Sequence, residues 1–170
     1  MQRFCGGLLA IGISLAITSR GASAQVPQPN PNAKACAYLP LVELEAHFGA
    51  KPATVLGIDQ PTRNTCSANF PTATRAAVVE SHPPNAADQA MAAAQRLQFL
   101  KAAFKNADMK DYGSVGCIRA TIDMGEPVQE TTCFLAKAQY LALTVRHVDA
   151  ARVDFDAVKT LLEKTAARRK

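Results

Sequence analysis

The sequence predicts an α+β fold: an antiparallel sheet of about five or six strands with three helices packed mainly on one face. Three observations predict it. Runs rich in β-branched residues recur in two groups, at residues 53–80 and 115–147, and turn residues separate them at hairpin-length intervals. Apolar residues at helical spacing mark a segment before, between and after those groups. The 170 residues carry a net charge of +5, are 48% hydrophobic and 6% aromatic, and lack Trp, which suits one domain with a modest core. A chain of this size buries roughly 70% of its unfolded surface and needs neither metal nor partner to fold. So few aromatic residues argue against a stacking platform for single-stranded nucleic acid.

The first element is an address. Met1, Gln2 and Arg3 give a positive start, Phe4 to Thr18 is apolar, and Ala22-Ser23-Ala24 before Gln25 is a small-x-small site. Residues 1–24 therefore read as a signal peptide cleaved between Ala24 and Gln25. The apolar run of about 15 residues falls short of the roughly 20 that a spanning helix needs, so no stable membrane anchor is expected after cleavage. The expected location is periplasmic or secreted. Cleavage leaves 146 residues at +3, because Arg3 and Arg20 go and no acid does. Lys51, Arg63, Arg75, Arg96, Lys101 and Arg119 are dispersed along the chain, so nucleic acid is not an expected partner.

Residues 25–34 are rich in Pro and Asn and read as a flexible leader, and residues 35–170 as a single α+β domain. Pro40 suits a first helical turn, Leu41, Leu44 and Phe48 follow on one face, and Gly49 can close the helix. Ala53–Ile58, Thr65–Phe70 and Thr74–Glu80 read as a meander, with Asp59-Gln60-Pro61-Thr62 as its first turn. Asn85 offers a cap, with Asp88 three residues on, for a long helix from Ala86 to about Asn106. Met91, Ala94, Leu97, Leu100 and Phe104 form its apolar side. Val115–Ile122, Glu130–Ala136 and Tyr140–His147 read as strands, with Lys137-Ala138-Gln139 as a turn. Phe155, Val158, Leu161 and Leu162 mark a closing helix with a basic end.

Cys5 leaves with the presequence, and the even set Cys36, Cys66, Cys117 and Cys133 in an exported chain reads as two disulfides. Three connectivities are possible. A hairpin argument favours one of them: Gly125 lies midway between Cys117 and Cys133, so a symmetrical hairpin sets those two opposite one another and leaves Cys36 with Cys66. Each bridge contributes roughly 3 kcal/mol. The spacings of 30, 51 and 16 residues do not suit zinc, which favours close cysteine pairs, and no Cys-x-x-Cys redox motif occurs.

Cys36-Ala37-Tyr38-Leu39 leads into Leu41-Val42-Glu43-Leu44-Glu45-Ala46-His47-Phe48-Gly49, with Cys66 thirty residues beyond Cys36. This resembles small exported bacterial proteins and lipoproteins of unknown function, in which a cysteine precedes a short glutamate-containing helix ending in Gly. Thr131 to Leu143 is similar to their terminal hairpin and Val153 to Ala167 to their closing helix. The resemblance implies an α+β sandwich with a role in binding or envelope maintenance, and brings no catalytic residue with it. The lipid-bearing cysteine of the lipoprotein members is missing here.

Candidate chemistry is sparse. His47, His82 and His147 belong to the one side-chain type whose unperturbed acidity lies near neutral pH, and their spacing fits no ligand motif. His147 with Asp149, Asp154 and Asp156 forms the best cation candidate, although Asp154 and Asp156 equally suit the start of the last helix. Ser67, Ser81 and Ser114 lack a nucleophile elbow, no Gly-rich phosphate loop occurs, and Glu43 and Glu45 diverge on their helix. The reading is an exported, non-enzymatic module without catalytic residues, metal or cofactor. It binds a small molecule, an envelope component or an unknown protein partner through its sheet face or a groove beside a helix. The alternatives are a metal-dependent or hydrolytic enzyme using His147 and its acids, and a secreted inhibitor or host-directed factor. Non-reducing mass mapping of the exported chain is expected to show Gln25 as its first residue and no free thiol; four free thiols would remove the disulfide framework.

Overall fold

Seven strands form one antiparallel sheet, and the order in which they lie shows how it is built. The structure is a computed structural model that describes residues 28–82, 93–103, 107–135 and 140–169. The strands are β1 (Thr54–Gln60), β2 (Arg63–Asn69), β3 (Arg75–Ser81), β4 (Asp108–Asp111), β5 (Val115–Asp123), β6 (Pro127–Leu135) and β7 (Tyr140–His147). Their order in space is β1-β2-β3-β7-β6-β5-β4, so two meanders meet along the single pairing of β3 with β7. The helices are α1 (Lys34–Tyr38), α2 (Leu41–Phe48), α3 (Ala93–Ala103) and α4 (Phe155–Arg168), with a 3-10 turn at Ala150–Val153.

Alternation along the strands divides the sheet into two faces. Cys66, Ala68, Ala76, Val78, Cys117, Cys133, Leu143 and Val145 point to one face, where Ala35 of α1, Leu44 of α2, and Val158, Leu161 and Leu162 of α4 complete the main core. The opposite face carries a smaller cluster of Leu97 from α3 with Phe134 and Ala142. The helical apolar stripe of α4 thus follows the expected positions, and Asp154 caps its start by accepting from the Asp156 backbone N–H. The chain's end is tied down as well. Arg168 bonds Glu43 on α2, and Arg169 bonds Glu80 on β3 with Nε at 2.5 Å from Oε1. Glu80 is buried and also accepts from Asn64 at 3.2 Å, with His82 at 3.3 Å.

Each disulfide stays within one half of the structure. Cys117 and Cys133 are directly opposed on β5 and β6, and Cys36 of α1 is bonded to Cys66 of β2. Neither crosses the β3–β7 seam.

Several expectations need correction. The sheet has seven strands where five or six were expected, because Asp108–Asp111 pairs with β5. That segment is Asp-Met-Lys-Asp and has no β-branched residue, so its strand character comes from a partner rather than from its own preference. Among the described residues four helices stand where three were expected, since Lys34–Tyr38 forms a turn of helix with no side-chain cap, held through buried Ala35 and the Cys36–Cys66 bridge. One helix, α3, packs on the face opposite to the others. Within the segment read as a leader, Asn30 exchanges two backbone hydrogen bonds with Gly57. Ala33 is buried and the Lys34 N–H donates to Asp59. The first turn is shorter than expected, because Gln60 and Arg63 pair and leave only Pro61 and Thr62 between them. The Ala24–Gln25 site, the Asn85 cap, Asp88, Met91, Phe104 and the turn at residues 137–139 lie outside the described residues.

Gly57 explains how α1 can lie so close to β1. A Cβ there would sit 2.6 Å from the Ala33 Cβ, 2.8 Å from the Cys36 Sγ and 2.5 Å from the Thr65 carbonyl oxygen. Gly57→Ala is therefore expected to lower stability by about 1–3 kcal/mol, the cost of overpacking. Urea unfolding checks this, and an unchanged midpoint would show that α1 does not press on β1 as described.

Candidate functional site

Among the described residues the face that carries α3 is only partly covered, and its residues line up in rows across the strands. One row runs Ala120, Glu130, Arg146, Arg75 over β5, β6, β7 and β3; the next runs Ile118, Thr132, Thr144, Ala77. Each row follows from the pairing register, since residues in register on neighbouring strands share a face. Leu97 anchors α3 over Phe134, where Gly116 leaves room: a Cβ on it would lie 2.8 Å from the Phe134 ring and 3.2 Å from Leu97. Beyond that anchor, Leu100 stands over β5 and β6 and roofs a cleft of about 240 Å³. Ile118, Ala120 and Ile122 supply its apolar floor, with Thr121, Thr132 and Glu130 at its polar edge.

A second depression of about 200 Å³ adjoins it and shares Glu130; the rest of its lining is Arg75, Ala77, Thr144 and Arg146. Arg146 donates to one Glu130 oxygen from Nε at 2.9 Å and Nη2 at 2.6 Å, and from Nη1 to the Met124 sulfur. Thr132 and Thr144 share a hydroxyl hydrogen bond of 2.8 Å between the two depressions. The arrangement combines an apolar slot, a hydroxyl pair and a guanidinium pair on one rigid sheet. It can hold and orient a small molecule.

The histidines are engaged elsewhere. The His47 Nε2 lies 2.7 Å from the Arg152 carbonyl, and Arg152 returns a bond to the His47 carbonyl. His82 pairs with Glu80. The His147 Nδ1 accepts from the Asp149 N–H at 2.8 Å, and its ring stacks on Phe48 at 5.6 Å. Asp149 caps the 3-10 turn, Asp154 caps α4, and Asp156 accepts from Lys110 and from the Tyr112 hydroxyl at 2.5 Å. The four groups of the cation candidate are thus separately committed, and among the described residues no three His, Cys, Asp or Glu side chains gather to hold a metal.

An open groove of about 500 Å³ between α2 and α4 is lined by Glu43 and His47 from α2 and by Asp156 from α4. Each turns its polar atoms to protein partners: Glu43 to Arg168, His47 to Arg152, and Asp156 to Lys110 and Tyr112. The hydrogen bond from Arg168 holds Glu43 below its ordinary pKa, and those from Tyr112 and Lys110 do the same for Asp156. These carboxylates are held ionised, which suits anchoring and not proton exchange near neutrality.

Sequence reasoning placed Ile118, Ile122 and Leu100 on a strand and a helix without joining them, and counted Arg75 among dispersed bases. The missing signal is the β3–β7 register, which brings Arg75 opposite Arg146 across 71 residues of sequence. Alternation alone could have put Arg75 and Ala77 on one face of their strand.

Burial pushes the His147 imidazole below its ordinary value; Asp149 opposes this, while Arg152 and His47 reinforce it. Burial raises the Glu80 carboxyl, but the hydrogen bond from Asn64 and the charge and hydrogen bond of Arg169 outweigh it and leave it lowered. Both shifts act in one direction. The unfolded chain takes up the His147 proton first, so that contribution is complete above about pH 6.5 and is lost as pH falls toward the folded value. The Glu80 contribution is complete above about pH 4.5 and is lost as pH falls through its folded value. His147→Asn is accordingly expected to flatten the decline of the urea midpoint between pH 7 and 5.5 relative to the native chain; an unaltered slope would contradict this assignment.

No protein-family model matches the chain, and comparison with curated proteins and with solved structures finds no match either.

Proposed function

We propose that the chain is an exported, non-enzymatic binding module whose cleft between α3 and strands β5 and β6 takes a small, largely apolar ligand. The observation that carries this reading is the cleft of about 240 Å³ lined by Leu100, Ile118, Ala120 and Ile122. An apolar slot of this kind suits a small ligand, and here Leu100, packed beside the Leu97 anchor and half-buried, lines its α3 side. The commitment of His47, His82 and His147 to protein partners supports binding over catalysis. The two disulfides fit an oxidising compartment, and among the described residues no helix is long and apolar enough to cross a membrane.

Titration with the neutral fluorophore N-phenyl-1-naphthylamine tests the reading. Saturable enhancement is expected for the native chain. Ala120→Phe, which places a ring in the slot, is expected to weaken it at least tenfold while far-ultraviolet circular dichroism stays native. Absence of saturable binding, or unchanged binding by the folded variant, would refute the cleft as the site.

A further inference from the structure

We infer that the ligand of this cleft is a single-chain amphiphile with a monoanionic carboxylate head, its tail beneath α3 and its head on Arg75 and Arg146. The inference rests on the cleft reading above and adds the chemistry of the head group.

The charge arrangement carries it. Arg75 and Arg146 are directly opposed on β3 and β7, and like charges in that position destabilise a sheet. One carboxylate, Glu130, serves the pair, and it is spent on Arg146, bonded at 2.6 and 2.9 Å. Among the described residues no acid contacts Arg75, which is exposed and lines the same depression. The trio of Arg75, Arg146 and Glu130 therefore keeps one unit of positive charge across the three neighbouring strands β3, β7 and β6. A monoanion balances that charge, whereas a dianionic phosphate monoester would leave one negative charge over beside Glu130. A carboxylate also matches the planar fork of a guanidinium with two parallel hydrogen bonds.

The distance fits as well. From Ala120 on the cleft floor to Arg75 is three strand spacings, about 14 Å at roughly 4.8 Å each. In the neighbouring row Thr132 and Thr144 lie between Ile118 on that floor and Ala77, which is beside Arg75 on the same face of β3; the two hydroxyls bond one another, so an alkyl chain crossing there leaves neither without a partner. The slot takes the far end of the tail between Leu100 and Ile118, where water is displaced from apolar surface. Decanoate has about this reach, and decanol is its uncharged counterpart.

Isothermal titration of the full disulfide-bonded chain with both compounds tests the inference. Decanoate is expected to bind at least tenfold tighter than decanol. Arg75→Gln is expected to bring decanoate down to the level of decanol without altering decanol, and Arg75→Lys, which keeps charge but loses the fork, to restore part of the preference. Equal binding of the two compounds to the native chain, or a preference that survives Arg75→Gln, would overturn the head-group assignment while leaving the cleft in place. Failure of both compounds to bind, or undiminished binding of both by Ala120→Phe, would overturn the cleft and this inference together.

Discussion

The pairing of β3 with β7 is the constraint on which the rest of the molecule depends. Each meander alone is a small sheet with one apolar face, too little to make a stable core. Joined from Arg75↔Arg146 to Ser81↔Tyr140, they form one surface broad enough for α1, α2 and α4 to cover. No disulfide spans that seam, because Cys36–Cys66 and Cys117–Cys133 each stay within one half. The seam is held by its hydrogen-bond ladder, by Val78 and Leu143 packed in the shared core, and by the chain's end. Arg169 closes on buried Glu80 of β3 from the far end of α4, a contact between residues 89 apart in sequence. Removing one partner of a buried pair strands the other charge, so this contact makes the last turn of α4 part of the fold and not a frayed end.

The same seam creates the proposed binding surface. On the core face it brings together Val78 and Leu143, which need only be apolar. On the opposite face it places Arg75 against Arg146, which no packing argument requires. Among the described residues, helix α3 lies over the β4–β6 side of that face, anchored where Gly116 admits the Phe134 ring. An apolar cleft and a cationic depression are therefore neighbours on a single rigid floor. Rigidity matters here, because a ligand that meets preset partners orders little on binding.

Local interactions, by contrast, account for the groups that first attract a chemist's attention. His147, Asp149, Asp154 and Asp156 cluster in sequence because a strand ends, a 3-10 turn begins and a helix starts within ten residues, and each junction needs a cap. Asp149 and Asp154 accept from N–H groups two residues on, His147 accepts from Asp149, and Asp156 is drawn off by Lys110 and Tyr112. Density of ionisable residues there reflects the density of element boundaries.

What the sequence by itself determined is what depends on near neighbours: the alternation of the strands, the stripe of α4, the end of α2 at Gly49, and the opposition of Cys117 and Cys133 about a hairpin centred on Gly125. These rest on turn chemistry and on periods of two and 3.6 residues, which a linear reading displays. Tertiary structure decided what depends on distant partners. Asp108–Asp111 is a strand only because β5 offers it an edge, Lys34–Tyr38 a helix only because Gly57 and Cys66 receive it, and α3 lies on the second face because Leu97 finds Phe134 there. The opposition of Arg75 and Arg146 belongs to this second kind. A register between distant strands is set by the burial of a whole face at once, and no local stretch of residues contains that sum.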